Sequence, residues 1–223
     1  MTNRAYNLDC MEAMREFPDK FFDLAVVDPP YGGGFSEAGG NGGWFTKYHD
    51  RFGNRNSVFE KYKRGGQIAW DIAPGPEYFT ELFRVSKNAV IWGGNYFQLP
   101  PTRCFLIWRK LTISETFSMA QAEYAWTSFN SNAKVFEAAP QDPARFHPTQ
   151  KPVALYEWIF RLYAQPGFKI LDTHLGSGSS RIAAYDAGLN FWGYEIDPEY
   201  FAKQEARFTA HTKQQNLFLE EEL

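Results

Sequence analysis

Phe22-Asp23-Leu24-Ala25-Val26-Val27-Asp28-Pro29-Pro30-Tyr31 decides how the rest of the chain is read. The segment up to Val27 is short, apolar and rich in β-branched residues, the pattern of a buried strand. Two prolines stop it. Each fixes its own φ, lacks an N–H and biases the preceding residue towards an extended conformation. Asp28 and Pro29 are therefore held extended, and a carboxylate and a backbone carbonyl stand at the carboxyl end of a central strand. Open α/β sheets bind their ligands at that edge. Tyr31 adds a flat ring, and Gly32-Gly33-Gly34 lets the chain leave in any direction. Two acceptors beside an aromatic face suit a planar ring with an exocyclic amine, which would stack and donate both hydrogens. A Pro-Pro turn capped by Asp28 explains the same four residues without chemistry, so the rest of the chain has to decide.

A second strand end points the same way. Phe168 to Asp172 reads as a strand running into Thr173-His174-Leu175-Gly176-Ser177-Gly178, and a helix follows to Ala187. Strand, Gly-rich turn and helix is a nucleotide-type layout. No third Gly follows at the dinucleotide spacing and no Lys as in a P-loop, so the turn argues for a nucleoside without pyrophosphate. Phe191 to Tyr194 is the next strand and ends in Glu195, placed to bond ribose hydroxyls. Asp197-Pro198 starts the last helix. Near the start, Asn3 to Leu8 reads as a strand and Asp9 as the cap of a helix to about Phe17. The Asp9 carboxylate could also receive the amine of a bound adenine ring.

Between these motifs the pattern predicts a helix over Glu77–Val85 and strands over Asn88–Trp92 and Cys104–Trp108. Further strands fall over Glu123–Thr127 and Lys134–Glu137, joined as a hairpin through Asn130-Ser131-Asn132. A helix follows over Val153–Tyr163, with Pro152 at its first turn. Its N-terminal amides and Lys151 make a carboxylate site. His147 has no second ligand at helical spacing and reads as loop packing, so no metal is expected. Residues 31–67 have no periodicity and carry Lys47, Arg51, Arg55, Lys61, Lys63 and Arg64 among Trp44, Phe45, Tyr48, Phe52, Phe59 and Tyr62. Basic and aromatic residues together suit phosphate contacts and base stacking, although a solvated loop has the same composition. Arg109-Lys110 and the Thr112–Ser118 loop could also face DNA.

The chain of 223 residues is 44% hydrophobic, enough for one domain with a sizeable core, and its net charge of −3 confines any nucleic-acid surface to local patches. Two cysteines make no disulfide framework. The polar start is unlike a signal peptide, and no run approaches a membrane span, so the expected compartment is the cytoplasm.

Asp-Pro-Pro-Tyr together with Leu171-Asp172-x-x-x-Gly176-Ser177-Gly178 resembles the amino-methyltransferases that act on DNA with S-adenosylmethionine. The likeness extends through Asp9-Cys10, Trp92-Gly93-Gly94-Asn95, His147 to Pro152 and Glu195-Ile196-Asp197. The catalytic motif precedes the cofactor turn, an order similar to the β group. The length is similar to solitary phage or prophage enzymes of a bacterial cell. The resemblance implies an α/β fold of the Rossmann-like methyltransferase kind in a single domain over residues 1–223: a mixed, mainly parallel sheet with helices on both faces and circularly permuted motifs. It implies that Asp28, Pro29, Pro30 and Tyr31 hold an extruded base. Gly176, Ser177 and Gly178 would pass under the methionine part of S-adenosylmethionine, with Lys151 and Thr149 on its carboxylate. Glu195 would take the ribose and Asp9 the adenine amine. Cys10, Asp172, His174 and Asp197 complete the cofactor set, and Asn95 joins the basic loop on DNA. The family commonly has Pro at Thr173 and Phe at His174.

The implied reaction is methylation of N6 of adenine in DNA, since Asp in the first motif position leans to adenine and Ser to cytosine. N4 of cytosine, or an amine nitrogen of RNA or of protein glutamine, are the alternatives. C5 methylation needs a thiolate, and neither Cys10 nor Cys104 follows a proline. Site recognition is left to residues 31–67 and 109–146, or to a homodimer that gains surface.

Overall fold

The computed structural model describes residues 1–32, 72–114, 120–140 and 144–221. In chain order these form β1 (Asn3–Tyr6), α1 (Cys10–Arg15), β2 (Phe22–Val27), α2 (Pro76–Val85), β3 (Ser86–Trp92), a 3₁₀ turn (Gly94–Tyr96), β4 (Phe105–Lys110), β5 (Ala122–Thr127), β6 (Lys134–Ala138), α3 (Val153–Tyr163), β7 (Lys169–Asp172), α4 (Ser179–Asp186), β8 (Asn190–Tyr194) and α5 (Pro198–Glu221). The strands make an eight-stranded sheet in the order β1-β8-β7-β2-β3-β5-β4-β6.

The Phe22–Val27 run is the central strand, with β7 on one side and β3 on the other, both parallel to it. Its side chains alternate between two cores. Leu24 and Val26 pack under α3 and α4 with Trp92, Ile159 and Ile170, while Ala25 and Val27 pack under α1 and α2 with Met14, Leu82 and Ile91. A strand covered on both faces needs no polar positions, which is why the run is apolar throughout its second half. The links β2–α2–β3 and β7–α4–β8 return to parallel neighbours, the arrangement that places strand ends and helix starts at a common edge.

Only β5 runs against the others among the described strands: it is antiparallel to both β3 and β4, and β4 is parallel to β6. The hairpin expected between β5 and β6 does not form. Both edges of β5 are already taken, so β6 goes to the free edge of β4. The connecting residues bend round the start of β4, where Ser131 Oγ lies 3.2 Å from Cys104 Sγ. Arg109 and Lys110, expected in a loop, are the last two residues of β4. Because β5 is reversed, its first residues share an edge with the last residues of β2, β3, β4, β7 and β8. That edge carries the chemistry. Among the described residues no helix is long and apolar enough to cross a membrane, and no cluster of three or more metal-ligating side chains occurs.

Candidate active site

At the end of β2, Asp28 is fixed from two sides. The Tyr31 hydroxyl donates to its Oδ1 at 2.6 Å, and Lys151 Nζ donates to its Oδ2. One lone pair on each oxygen remains for another donor. Tyr31 is stacked on Tyr96 with ring centroids 4.9 Å apart, and Phe97 meets its edge. The Trp92-Gly93-Gly94-Asn95 strand end makes room for it. Gly93 has φ +67°, and a Cβ there would come within 2.1 Å of the Tyr31 ring. Asn95 is exposed in the same 3₁₀ turn. Burial, and then the neighbouring Asp28 carboxylate, push the Tyr31 phenol well above its ordinary range, so it stays a donor.

Lys151 was expected to hold a carboxylate, and it holds two from this chain: Asp28, and Glu123 at 3.2 Å from the start of β5. Glu123 in turn lies 2.5 Å from Lys110 Nζ. Lys151 also sits over the Trp92 ring, 5.4 Å from its centroid. Thr149 is occupied with His147, whose Nδ1 is 3.2 Å from the Thr149 hydroxyl. His147 packs as a ring against Tyr200 and close to Gly176. Burial, then the positive charges of Arg145 and Lys151, bring its pKa down to about 3, so the ring is neutral.

The second half of the edge is built from β7 and β8. Asp172, almost wholly buried, accepts from Ser180 Oγ and, at 3.0 Å, from the His174 N–H. Burial lifts its pKa to about 7 against the two hydrogen bonds, which lower it, and the nearby Asp28 and Glu195 carboxylates add smaller upward pushes. Gly178, at φ +75°, closes the turn as the cap of α4, where a Cβ would meet the Gln204 side chain at 3.1 Å. Glu195 braces the turn: one oxygen accepts from the Gly176 N–H at 2.8 Å, the other from the Asp197 N–H at 2.9 Å. Ser177 is buried, with its hydroxyl 3.1 Å from that of Ser179. Asp197 caps α5 through Glu199 and Tyr200. Asp9 caps α1, accepting from Met11 N–H at 2.7 Å, and Cys10 beside it is a half-buried thiol pushed up to about 12 by desolvation. His174 bonds Thr173 Oγ1 at 2.9 Å, and Thr173 bonds Tyr78 OH at 2.6 Å. A polar string thus runs from His174 through Thr173 to Tyr78.

The two halves meet. Asp28 and Asp172 end adjacent strands, and Tyr78 of α2 and Tyr156 of α3 each feel both carboxylates. Glu123, Tyr78 and Tyr156 had not been singled out as site residues from the sequence, and Lys110 had been named only as a residue that could face DNA. Glu123 and Lys110 carried a usable signal. Each continues the inward alternation of its strand, Glu123 with Ala125 and Lys110 with Trp108, so each puts a charge on a buried face. Lys47, Arg51, Arg55, Lys61, Lys63 and Arg64 lie outside the described residues.

This arrangement can be compared with known proteins. A family profile described as DNA methylase, of the N6/N4 methyltransferase class, matches residues 84–206. The chain belongs to the N6/N4 DNA methylase family. The match includes the Gly176–Gly178 turn and Glu195, and the Asp28–Tyr31 corner precedes it. The methylase is 26% identical to the Escherichia coli K12 protein YubD, over 91% of this chain and 88% of that one. Its fold is similar to that of the M1.HpyAVI–SAM complex, with a TM-score of 0.55 and 20% identity over 92% of this chain and 98% of the other. The PvuII DNA methyltransferase, cytosine-N4-specific, has a TM-score of 0.57 at 13% identity over 96% and 92%. These likenesses establish a Rossmann-like methyltransferase fold, and the family depends on S-adenosylmethionine. The acidic donor set fits such a group: Asp172 and Glu195 form no ion pair with the described residues, and the cofactor brings a sulfonium and an ammonium.

Proposed function

We propose that this DNA methyltransferase modifies N6 of adenine in DNA. The observation that carries the reading is Asp28, backed by Tyr31 and Lys151, standing at the strand end next to Asp172 and the Gly176 turn. Bound S-adenosylmethionine supplies a methyl electrophile on a cationic sulfur. The chain's own residues do the rest. Asp28 and the Pro29 carbonyl accept the two hydrogens of the amine and draw the nitrogen lone pair out of conjugation. The Tyr31 ring stacks on the extruded base. Pro30 keeps Pro29 extended. No residue has to make a nitrogen anion, because positioning supplies most of the rate. Once the nitrogen has taken the methyl group, Asp28 or water would receive the proton that it loses.

On the cofactor side, Asp172 and the turn Gly176-Ser177-Gly178 would line the methionine part, with His174 beside it. Glu195 and Asp197 would reach the ribose, and Asp9 with Cys10 the adenine. With Lys151 committed to Asp28 and Glu123, Thr149 would reach the methionine carboxylate by exchanging its contact with His147. The basic and aromatic residues within 31–67, together with Asn95, would contact DNA, and residues 109–146 would add sequence reading. Nucleoside analysis of DNA, RNA and protein after incubation with labelled cofactor tests the reading. Label in N6-methyldeoxyadenosine is expected. Label in N4-methyldeoxycytidine, or only in RNA or protein, would overturn it.

A further inference from the structure

Four charged side chains of alternating sign cross the edge of the sheet: Lys110 ending β4, Glu123 starting β5, Lys151 before α3 and Asp28 ending β2. Lys110 and Lys151 are buried, with side chains only 7% and 3% exposed. Buried ion pairs are a poor source of stability, since desolvation can exceed the Coulombic gain. A chain of them ending on Asp28 asks for another role.

Charge balance suggests it. The methylated nitrogen becomes cationic before it loses its proton. Lys151 beside Asp28 fixes the carboxylate in place, yet it also sets a positive charge near that nitrogen. Glu123 offsets this charge, and Lys110 offsets Glu123, so the four sum to zero. Without Glu123 the sum is +1 in a setting where charges interact strongly. Burial alone would raise the Glu123 carboxyl, but Lys151 and Lys110 outweigh burial and bring it to about 2, so it is an anion wherever the enzyme works. Lys151, which burial would lower, is raised by Asp28 and Glu123.

We propose that Lys151 and Glu123 are positioning residues for methyl transfer: Lys151 occupies one oxygen of Asp28 and aims the other at the amine, and Glu123 keeps Lys151 from neutralising that carboxylate as the nitrogen turns cationic. This rests on the reading of Asp28 given above and deepens it. The groups that face Asp28 are the Tyr31 hydroxyl, Lys151, Tyr156 from α3, Tyr78 from α2 and Asp172 from β7, with Glu123 reaching it through Lys151. Lys151 and Glu123 therefore push in opposite senses.

The test is the pH dependence of kcat and kcat/KM on DNA for the wild type, Lys151→Met, Glu123→Gln and Lys110→Met, with folding followed by circular dichroism. Lys151→Met removes the cation from Asp28, so the acid limb should move up by about 1–3 pH units. Glu123→Gln should move it down, with kcat lowered about tenfold or more and cofactor KM changed little. Lys110→Met leaves Lys151 in place and should move the limb up by less, which keeps the test open if Lys151→Met fails to fold. Lys151→Arg should restore most of the wild-type profile. Folded variants with unmoved limbs, or limbs that all move the same way, would overturn the proposal and leave the DNA reading standing. A wild-type protein that methylates no DNA would remove both.

Discussion

The two halves of the catalytic edge treat their acids in opposite ways. On the β2–β3–β5 side, Asp28 and Glu123 are bonded to buried lysines. On the β7–β8 side, Asp172 and Glu195 are held by a hydroxyl and backbone N–H groups, and burial raises both, Asp172 to about 7. The first half carries its own counterions and is complete as a rigid anionic acceptor. In the second, Arg207 bonds the Ser177 carbonyl, but Asp172 and Glu195 form no ion pair with the described residues, the state expected of acids whose cation is a ligand. A methyl donor with a sulfonium and an amine acceptor that must not be protonated call for these two environments side by side.

The difference can be broken most sharply at its acceptor end. Asp28→Ala should lower turnover at least about 10²-fold while cofactor affinity, measured by calorimetry, stays within a few-fold. A parallel loss of both would merge the two halves into one site. Gly93→Ala comes next. The added Cβ would lie 2.1 Å from the Tyr31 ring at φ +67°, so the ring must move. A stability loss of about 1–3 kcal/mol is expected from such overpacking, together with weaker DNA methylation, and thermal melts check it.

Tyr31→Phe sharpens the comparison further, because it keeps the stacked ring and removes only the 2.6 Å bond to Asp28. A hydrogen bond to a charged group is worth about 1.5–3 kcal/mol, so kcat should fall about 10–100-fold with cofactor binding unchanged. The smallest effect belongs to Asp172. Its folded pKa lies above its ordinary value, so the folded chain holds a proton that the unfolded chain has lost between the usual carboxylate range and about 7. Stability from this group is therefore lost as pH rises through that window. A cationic ligand prefers the ionised form, so binding of sinefungin should tighten as pH rises towards 7. Asp172→Asn should flatten both trends, and thermal melts and calorimetry across pH 5–8 would detect it.

Much of this was legible in the sequence because the controlling features are local. Prolines at 29 and 30, a buried strand before them and the Gly176–Gly178 turn each fix backbone within a few residues, and the two strand ends do meet at one edge. The pairing of β5 and β6 was not legible. A short polar link between two strands permits a hairpin, and only the prior claim of β3 and β4 on β5 forbids it. The reversed direction of β5 hid Glu123, since nothing near it in sequence says that the start of β5 shares an edge with the end of β2, where Lys151 bridges Glu123 and Asp28. Lys151 was noticed as a carboxylate holder, but its partners are 123 residues away at Asp28 and on a strand whose pairing was misjudged.

The most direct measurement of the central claim is a crystal structure of the methylase with sinefungin and a DNA duplex. The account predicts an extruded adenine stacked on Tyr31, its N6 within hydrogen-bond distance of Asp28 and the Pro29 carbonyl. That nitrogen should lie about 3–3.5 Å from the sinefungin atom that stands for the methyl group. A base held elsewhere, or a ligand seated on the β7–β8 half with no path to Asp28, would contradict it.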